Sequence, residues 1–140
     1  MCGNFFPPEY KSFPFAEGDL LSHRSREGKY SVSKVLKIDR ITLKKGDTIN
    51  IQGQAFVAPE DDFLLIISCA FGEPAFNSLE EAKAAAQAGT WKVFVGHVPN
   101  RAPGAAEGHS LIGHQAVTES ELVGYREWKA AFSKGEASVF

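Results

Sequence analysis

The run Phe-Leu-Leu-Ile-Ile-Ser-Cys-Ala-Phe at residues 63–71 constrains this chain more than any other segment. It carries one hydroxyl and no charge, and it does not alternate between apolar and polar residues. A strand with one wet face shows a polar side chain at every second position, so a strand without alternation must be covered on both faces. The run is also less than half of the roughly 20 residues that a membrane-spanning helix needs. It therefore predicts the central strand of a folded sheet, with a helix on one side. Cys69 within it reads as a small buried hydrophobe.

Elsewhere the pattern is periodic. In residues 29–38, Tyr30, Val32, Leu36 and Ile38 share one face, with Lys34 as the exception among them. Lys29, Ser31, Ser33 and Lys37 share the other, which predicts a half-buried strand. A shorter strand at 19–24 pairs with it through Arg26-Glu27-Gly28. Residues 48–58 alternate after a Gly46-Asp47 turn, and Gly53 predicts a bulge or bend that would curl the sheet toward a barrel. Further strands are predicted at 91–99, where Trp91, Val93, Val95 and His97 share a face, and at 110–117, with a loop at 99–109 between them. Ser78 and Glu81 form a capping box opening an alanine-rich helix that Gly89 stops. Thr118 and Glu121 open a second helix, in which Leu122, Tyr125, Trp128 and Phe132 recur at helical spacing up to Gly135.

At 140 residues the chain fits one domain whose core needs no disulfide or metal staple. The expected architecture is α+β: a strongly bent, mainly antiparallel, barrel-like sheet of about six strands with two helices packed on one side. Residues 1–18 are rich in Phe, Pro and Tyr and are expected to form an extended arm packed across a single globular body at 19–140. The arm also offers a homodimer contact, although nothing in the sequence requires one.

Several function classes lack their signatures. The first basic residue is Lys11, and prolines interrupt the apolar residues before and after it, so no secretory signal is read and a cytoplasmic location is expected. No membrane association is expected. There is no Cys-x-x-Cys pair, no Gly-x-Ser-x-Gly elbow and no phosphate-binding glycine fingerprint. Glu60-Asp61-Asp62 cannot open a calcium loop, because the twelfth position of that loop would be Phe71. No cofactor and no metal are expected. His97, His109 and His114 lie within 18 residues, and imidazole is the commonest metal ligand, so a site built from them is the alternative worth carrying. Its candidate pocket is Trp91, His97, His109, His114 and Tyr125, with the aromatic residues as an apolar wall beneath the 99–109 loop.

Charge is the feature that stands out. Residues 20–45 hold eight Lys and Arg against two acids, whereas the rest of the chain holds seven against fifteen. Arg24, Arg26, Lys29, Lys37, Lys44 and Lys45, with Arg40, follow two predicted strands and their turns. They suggest a surface for an acidic protein partner. Nucleic acid is not the expected partner, because the chain as a whole has a net charge of −2 and Tyr30 is the lone aromatic among these cations.

Residues 17–36, Glu17-Gly18-Asp19-Leu20-Leu21 followed by Gly28-Lys29-Tyr30-Ser31-Val32-Ser33-Lys34-Val35-Leu36, resemble the opening of small SH3-like barrel domains, among them some bacterial immunity proteins. The resemblance implies a non-enzymatic domain that binds another protein through a charged face. The functional expectation is thus a binding domain without catalytic activity that meets an acidic protein through its basic strands. The alternative is a small-molecule or metal-dependent enzyme with its site near His97, His109 and His114.

Overall fold

A computed structural model describes residues 6–73 and 75–140. Strands β1 (Asp19–Arg24), β2 (Tyr30–Leu43), β5 (Asp62–Glu73), β6 (Lys92–Arg101) and β7 (His109–His114) form one antiparallel sheet in the order β6-β5-β2-β1-β7. The strands β3 (Thr48–Ile51) and β4 (Gln54–Val57) form a separate two-stranded ribbon. Helix α1 (Leu79–Ala88) links β5 to β6, α2 (Ala102–Ala106) links β6 to β7, and α3 (Val123–Ser133) follows a 3-10 turn at Ser120–Leu122.

The α+β class and the antiparallel sheet agree with the expectation, but the sheet is open and does not close as a barrel. There are seven strands rather than six among the described residues, because the expected bend at Gly53 is a tight turn. Gln52 (φ 52°) and Gly53 (φ 81°) both take left-handed backbone, which is the requirement of the two-residue turn that joins twisted strands. The apolar run lies in β5 as expected of a strand covered twice, but β2 is the middle strand and β5 its neighbour.

Register explains the double cover. Leu64, Ile66, Ser68 and Ala70 of β5 point to one face, and with them, across the ladder, Ile41, Asp39 and Lys34 of β2. At one end of this face α3 places Trp128 and, partly buried, Tyr125 and Phe132 on Ile41, Leu43, Leu64 and Ile66. At the other end Ala82 and Ala86 of α1 lie on Leu20, Val32 and Ile112. The opposite face shows Leu21, Val35, Ile67 and Cys69, covered by Ala102 and Ala105 of α2 and by Phe13 and Phe15. So the two longer helices share one face as expected, and a third, short helix occupies the other.

That short helix replaces part of the predicted 99–109 loop. Glycines and prolines argue for a loop by composition, but Pro103 sits in the first turn, where no N–H is needed, and buried Ala102 and Ala105 supply the packing. Of the N-terminal segment, Met1 to Phe5 lie outside the described residues. Phe6 is buried in the α3 cluster, and its amide donates to the buried carboxylate of Asp62 at 2.7 Å. The chain end is also tied in: Val139 is fully buried, and Phe140 exchanges backbone bonds with Pro99 and Arg101.

Trp91 owes its place to a glycine. A Cβ on Gly72 would stand 2.2 Å from Cε3 of the indole, so the ring lies directly on the β5 backbone. Gly72→Ala is expected to destabilise the fold by about 1–3 kcal/mol, the usual cost of overpacking. Trp91→Leu should recover part of that loss in the double variant. Urea denaturation of the four proteins checks this, and additive effects would contradict the contact.

Candidate functional site

A lysine on an apolar face cannot stay unpaired, since isolated charge in a low-dielectric interior is costly. Lys34 occupies that position in β2 and has no exposed surface at all. Its ammonium donates to Glu121 Oε1 and Oε2 at 2.9 and 3.0 Å, to the Ala116 carbonyl at 3.0 Å and to Gln115 Oε1 at 3.3 Å. All three partners come from the segment between β7 and α3. That segment is fastened at its start, where Gln115 N donates to the Gly18 carbonyl at 2.8 Å. Gly18, with φ 91°, permits this approach, since a Cβ there would meet the His114 ring at 2.7 Å.

Glu121 serves two purposes. The sequence identifies it as the partner of Thr118 in a capping box, and Thr118 N does donate to its Oε1 at 2.9 Å. The same carboxylate neutralises Lys34. Burial works to raise the Glu121 pKa, but the Thr118 and Lys34 bonds and the lysine charge outweigh it and hold the carboxyl below its ordinary range.

Next to this pair lies a cleft of about 310 Å³. Leu36 and Ala70 form its floor, Val93, Gly96 and His97 of β6 one wall, and Ser120, Glu121 and Gly124 the other. Two irregularities shape it. The β5–β6 ladder slips between Cys69 and Phe71 and again before Gly72. Gly124 lets α3 come close, because a Cβ there would stand 3.0 Å from His97 Cβ. His97 Nε2 is 2.9 Å from the buried Ser68 hydroxyl, and its ring packs against Tyr125 and Trp128 with centroids 6.1 and 5.5 Å away. Burial lowers the His97 pKa, against the opposing charge of Asp39, so the imidazole is neutral at pH 7. The Tyr125 hydroxyl donates to Asp39 Oδ1 at 3.0 Å, and burial together with that bond and charge pushes its pKa up to about 12. Asp39 Oδ2 is buried without a hydrogen-bond partner among the described residues.

The hydroxyl and the thiol nearest the cleft are both buried. Ser68 is fully buried behind His97, and burial pushes the Cys69 thiol up to about 12.

The structure separates the residues that the sequence grouped. His97 and Tyr125 sit together beside the cleft, but Trp91 packs in the α1 cluster. His109 and His114 are on β7, and β6 and β7 are opposite edges of the sheet, four strand spacings or about 19 Å apart. His114 Nδ1 instead meets Asp19 Oδ1 at 3.0 Å, and the His109 ring lies against His23. No cluster of three or more His, Cys, Asp or Glu able to hold a metal occurs among the described residues.

The basic residues separate too. Arg24, Arg26 and Lys29 surround the β1–β2 turn, whereas Lys44 and Lys45 lie beyond the far end of the 14-residue β2 strand. Lys44 and Lys45 stand beside Asp47 of their own loop and Asp61 of the β4–β5 connection, which accept from their amides. Lys37 and Arg40 point to opposite faces by register, and Arg40 stacks on Phe63 at 3.9 Å. The clearest sequence signal of the site was Lys34, the charged residue on an apolar face.

No family model, no curated protein and no solved structure matches this chain. Among the described residues no helix is long and apolar enough to cross a membrane.

The two partners in the ion pair differ in access to water, and this gives an asymmetric prediction. Glu121→Ala strands a fully buried ammonium and should cost about 3–5 kcal/mol. Lys34→Met leaves a carboxylate that is 27% exposed and can rehydrate, so it should cost less, about 1–2 kcal/mol. Equal losses in urea denaturation would contradict this.

Stability should also fall in two steps on acidification. Between about pH 6.5 and the lower folded values, the unfolded chain takes up protons that folded His97 and His109 refuse, because burial disfavours both imidazolium forms, so stability declines as pH drops. Below about pH 4.3 the lowered carboxyls of Glu121 and Asp62 lose their contribution as pH falls through their folded values. His97→Gln should shrink the upper step, leaving the His109 share, and should not change the lower one. A stability profile that is flat from pH 7 to 5 would contradict the assignment.

Proposed function

We propose that the protein is a binding domain that performs no chemistry of its own, and that the cleft between β6 and the start of α3 takes a small uncharged ligand. One observation carries this reading: the cleft has an apolar floor, and every charge at its wall is already balanced. Glu121 is neutralised by Lys34, and His97 is neutral. A charged ligand would lose its hydration and find no free counter-charge. An apolar body with one hydrogen-bonding group would cover Leu36 and Ala70 and reach the imidazole. The volume is at the lower end of the range for small-molecule sites, about 300–1,000 Å³. The buried Ser68 and Cys69 support the non-catalytic part of the reading.

Gly96 offers a clean test. It lines the cleft, and a Cβ added there meets nothing within 4 Å, so Gly96→Leu fills the space without straining the fold. In ligand-detected NMR, phenol and benzyl alcohol should give saturation-transfer signals with the wild-type protein and lose them with Gly96→Leu. Benzoate and benzylamine should bind more weakly. No signal at millimolar probe, or signals unchanged by Gly96→Leu, would overturn the reading.

A second reading keeps a protein partner but shortens its contact. Arg24 and Arg26 are exposed and in no ion pair among the described residues, and with Lys29 they make the β1–β2 turn locally basic. An acidic peptide held there should dissociate with added salt, since exposed charges are screened over about 8 Å at physiological ionic strength. The triple change Arg24→Glu, Arg26→Glu, Lys29→Glu should abolish that binding and leave the cleft probes unaffected.

A further inference from the structure

His109 has a partner that no sequence pattern announced. His23 of β1 and His109 of β7 are directly opposed across the antiparallel ladder. Opposed residues hold their Cβ atoms about 5 Å apart, and the rigid ladder fixes that spacing. The two imidazole centroids are 4.9 Å apart, with the ring planes inclined by 41°. That separation has a simple geometric meaning. Two imidazoles bound to one ion through nitrogens about 2.1 Å away, at an angle of about 100°, have centroids about 5 Å apart.

Three further features suit a metal. His109 Nδ1 is 3.0 Å from the Glu107 carbonyl, so it carries the proton and leaves the Nε2 lone pair available. Metal-bound histidines characteristically make this second bond, which fixes both tautomer and ring orientation. Gly108, between them in the chain, keeps the space clear, because a Cβ there would stand 3.1 Å from the His23 ring. Finally, His23 is exposed and His109 half-buried, so water can complete the coordination. Alternation along β1 sends the neighbouring Arg24 side chain to the other face of the sheet, away from the two imidazoles.

We propose that His23 and His109 form a two-histidine site for a divalent transition metal such as Zn²⁺ or Ni²⁺, for which imidazole is a suitable ligand. It is independent of the cleft, which lies on β6 at the opposite edge of the sheet. The site binds one ion per chain with the remaining positions open to water or to a ligand from a partner molecule, and it braces β7 against β1.

The test is a Zn²⁺ titration of the metal-free protein, in a Cys2→Ser background that removes the terminal thiol as a competitor, followed through the histidine ring signals in NMR. The His23 and His109 signals should shift together and saturate at one equivalent, while those of His97 and His114 stay in place. His23→Gln and His109→Gln should each weaken Zn²⁺ binding at least about tenfold, as the loss of even supporting groups does. The wild-type titration reads the site directly if either variant folds poorly. No shift up to about 1 mM Zn²⁺, shifts at His114 or His97 instead, or full affinity in the double variant would overturn the proposal.

Discussion

The arrangement of the helix-covered face turns on one buried ammonium. Lys34 sits midway between the α1 cluster and the α3 cluster, opposite Leu20 on one neighbouring strand and Ala70 on the other. An apolar residue there would need only packing. A lysine needs acceptors, and the 115–121 segment supplies them from two side chains and a carbonyl. Meeting that need dictates where the chain runs after β7, how α3 begins, and where Glu121 stands. The pair is better understood as a positional device than as a source of net stability, since an ion pair in the interior about breaks even against a well-packed apolar substitute.

The cleft follows from this fixation. With Glu121 held on Lys34 and Gly124 pressed to His97, the first turn of α3 meets β6 at one point and stands off from it beside that point. The irregular β5–β6 ladder and the side-chain-free Gly96 leave the gap unfilled. Beyond it, Trp128, Phe132 and Tyr125 restore close packing, with the Trp128 indole N–H donating to the Ser138 carbonyl at 3.0 Å. The cleft therefore lies between β6 on one side and the start of α3 on the other. Its polar groups already have partners, Glu121 in Lys34 and Thr118, and His97 in Ser68, and the proposal of an uncharged ligand rests on that.

Local patterns made much of the fold legible in the sequence. The unbroken apolar run identified a strand covered twice, and the capping residues Ser78 and Thr118 marked where helical segments begin. Gly89, at φ 70°, closes α1 as expected. What escaped was decided by geometry that composition does not carry. Gln52 gave no sign of the left-handed conformation it adopts, since Asn or Gly is the usual signal. Pro103 and Gly104 read as loop until the burial of Ala102 and Ala105 pays for a helical turn. Nearness in sequence misled with the histidines: His97 and His109 are 12 residues apart, yet lie at opposite sheet edges, while His23, 86 residues before His109, is its neighbour. Strand order, which no local pattern encodes, made that difference. The basic residues failed as a single surface for a related reason, because a long extended strand spreads its charges over both ends and both faces.

Chemical labelling of lysines tests the central claim most directly. With an acetylating reagent added to the folded protein at neutral to mildly basic pH and the products read by mass spectrometry, Lys34 should be modified last, only on a timescale set by unfolding, while the exposed Lys44 and Lys45 react at once. Modification of Lys34 at the rate of Lys44 and Lys45 in protein that remains folded would contradict the account.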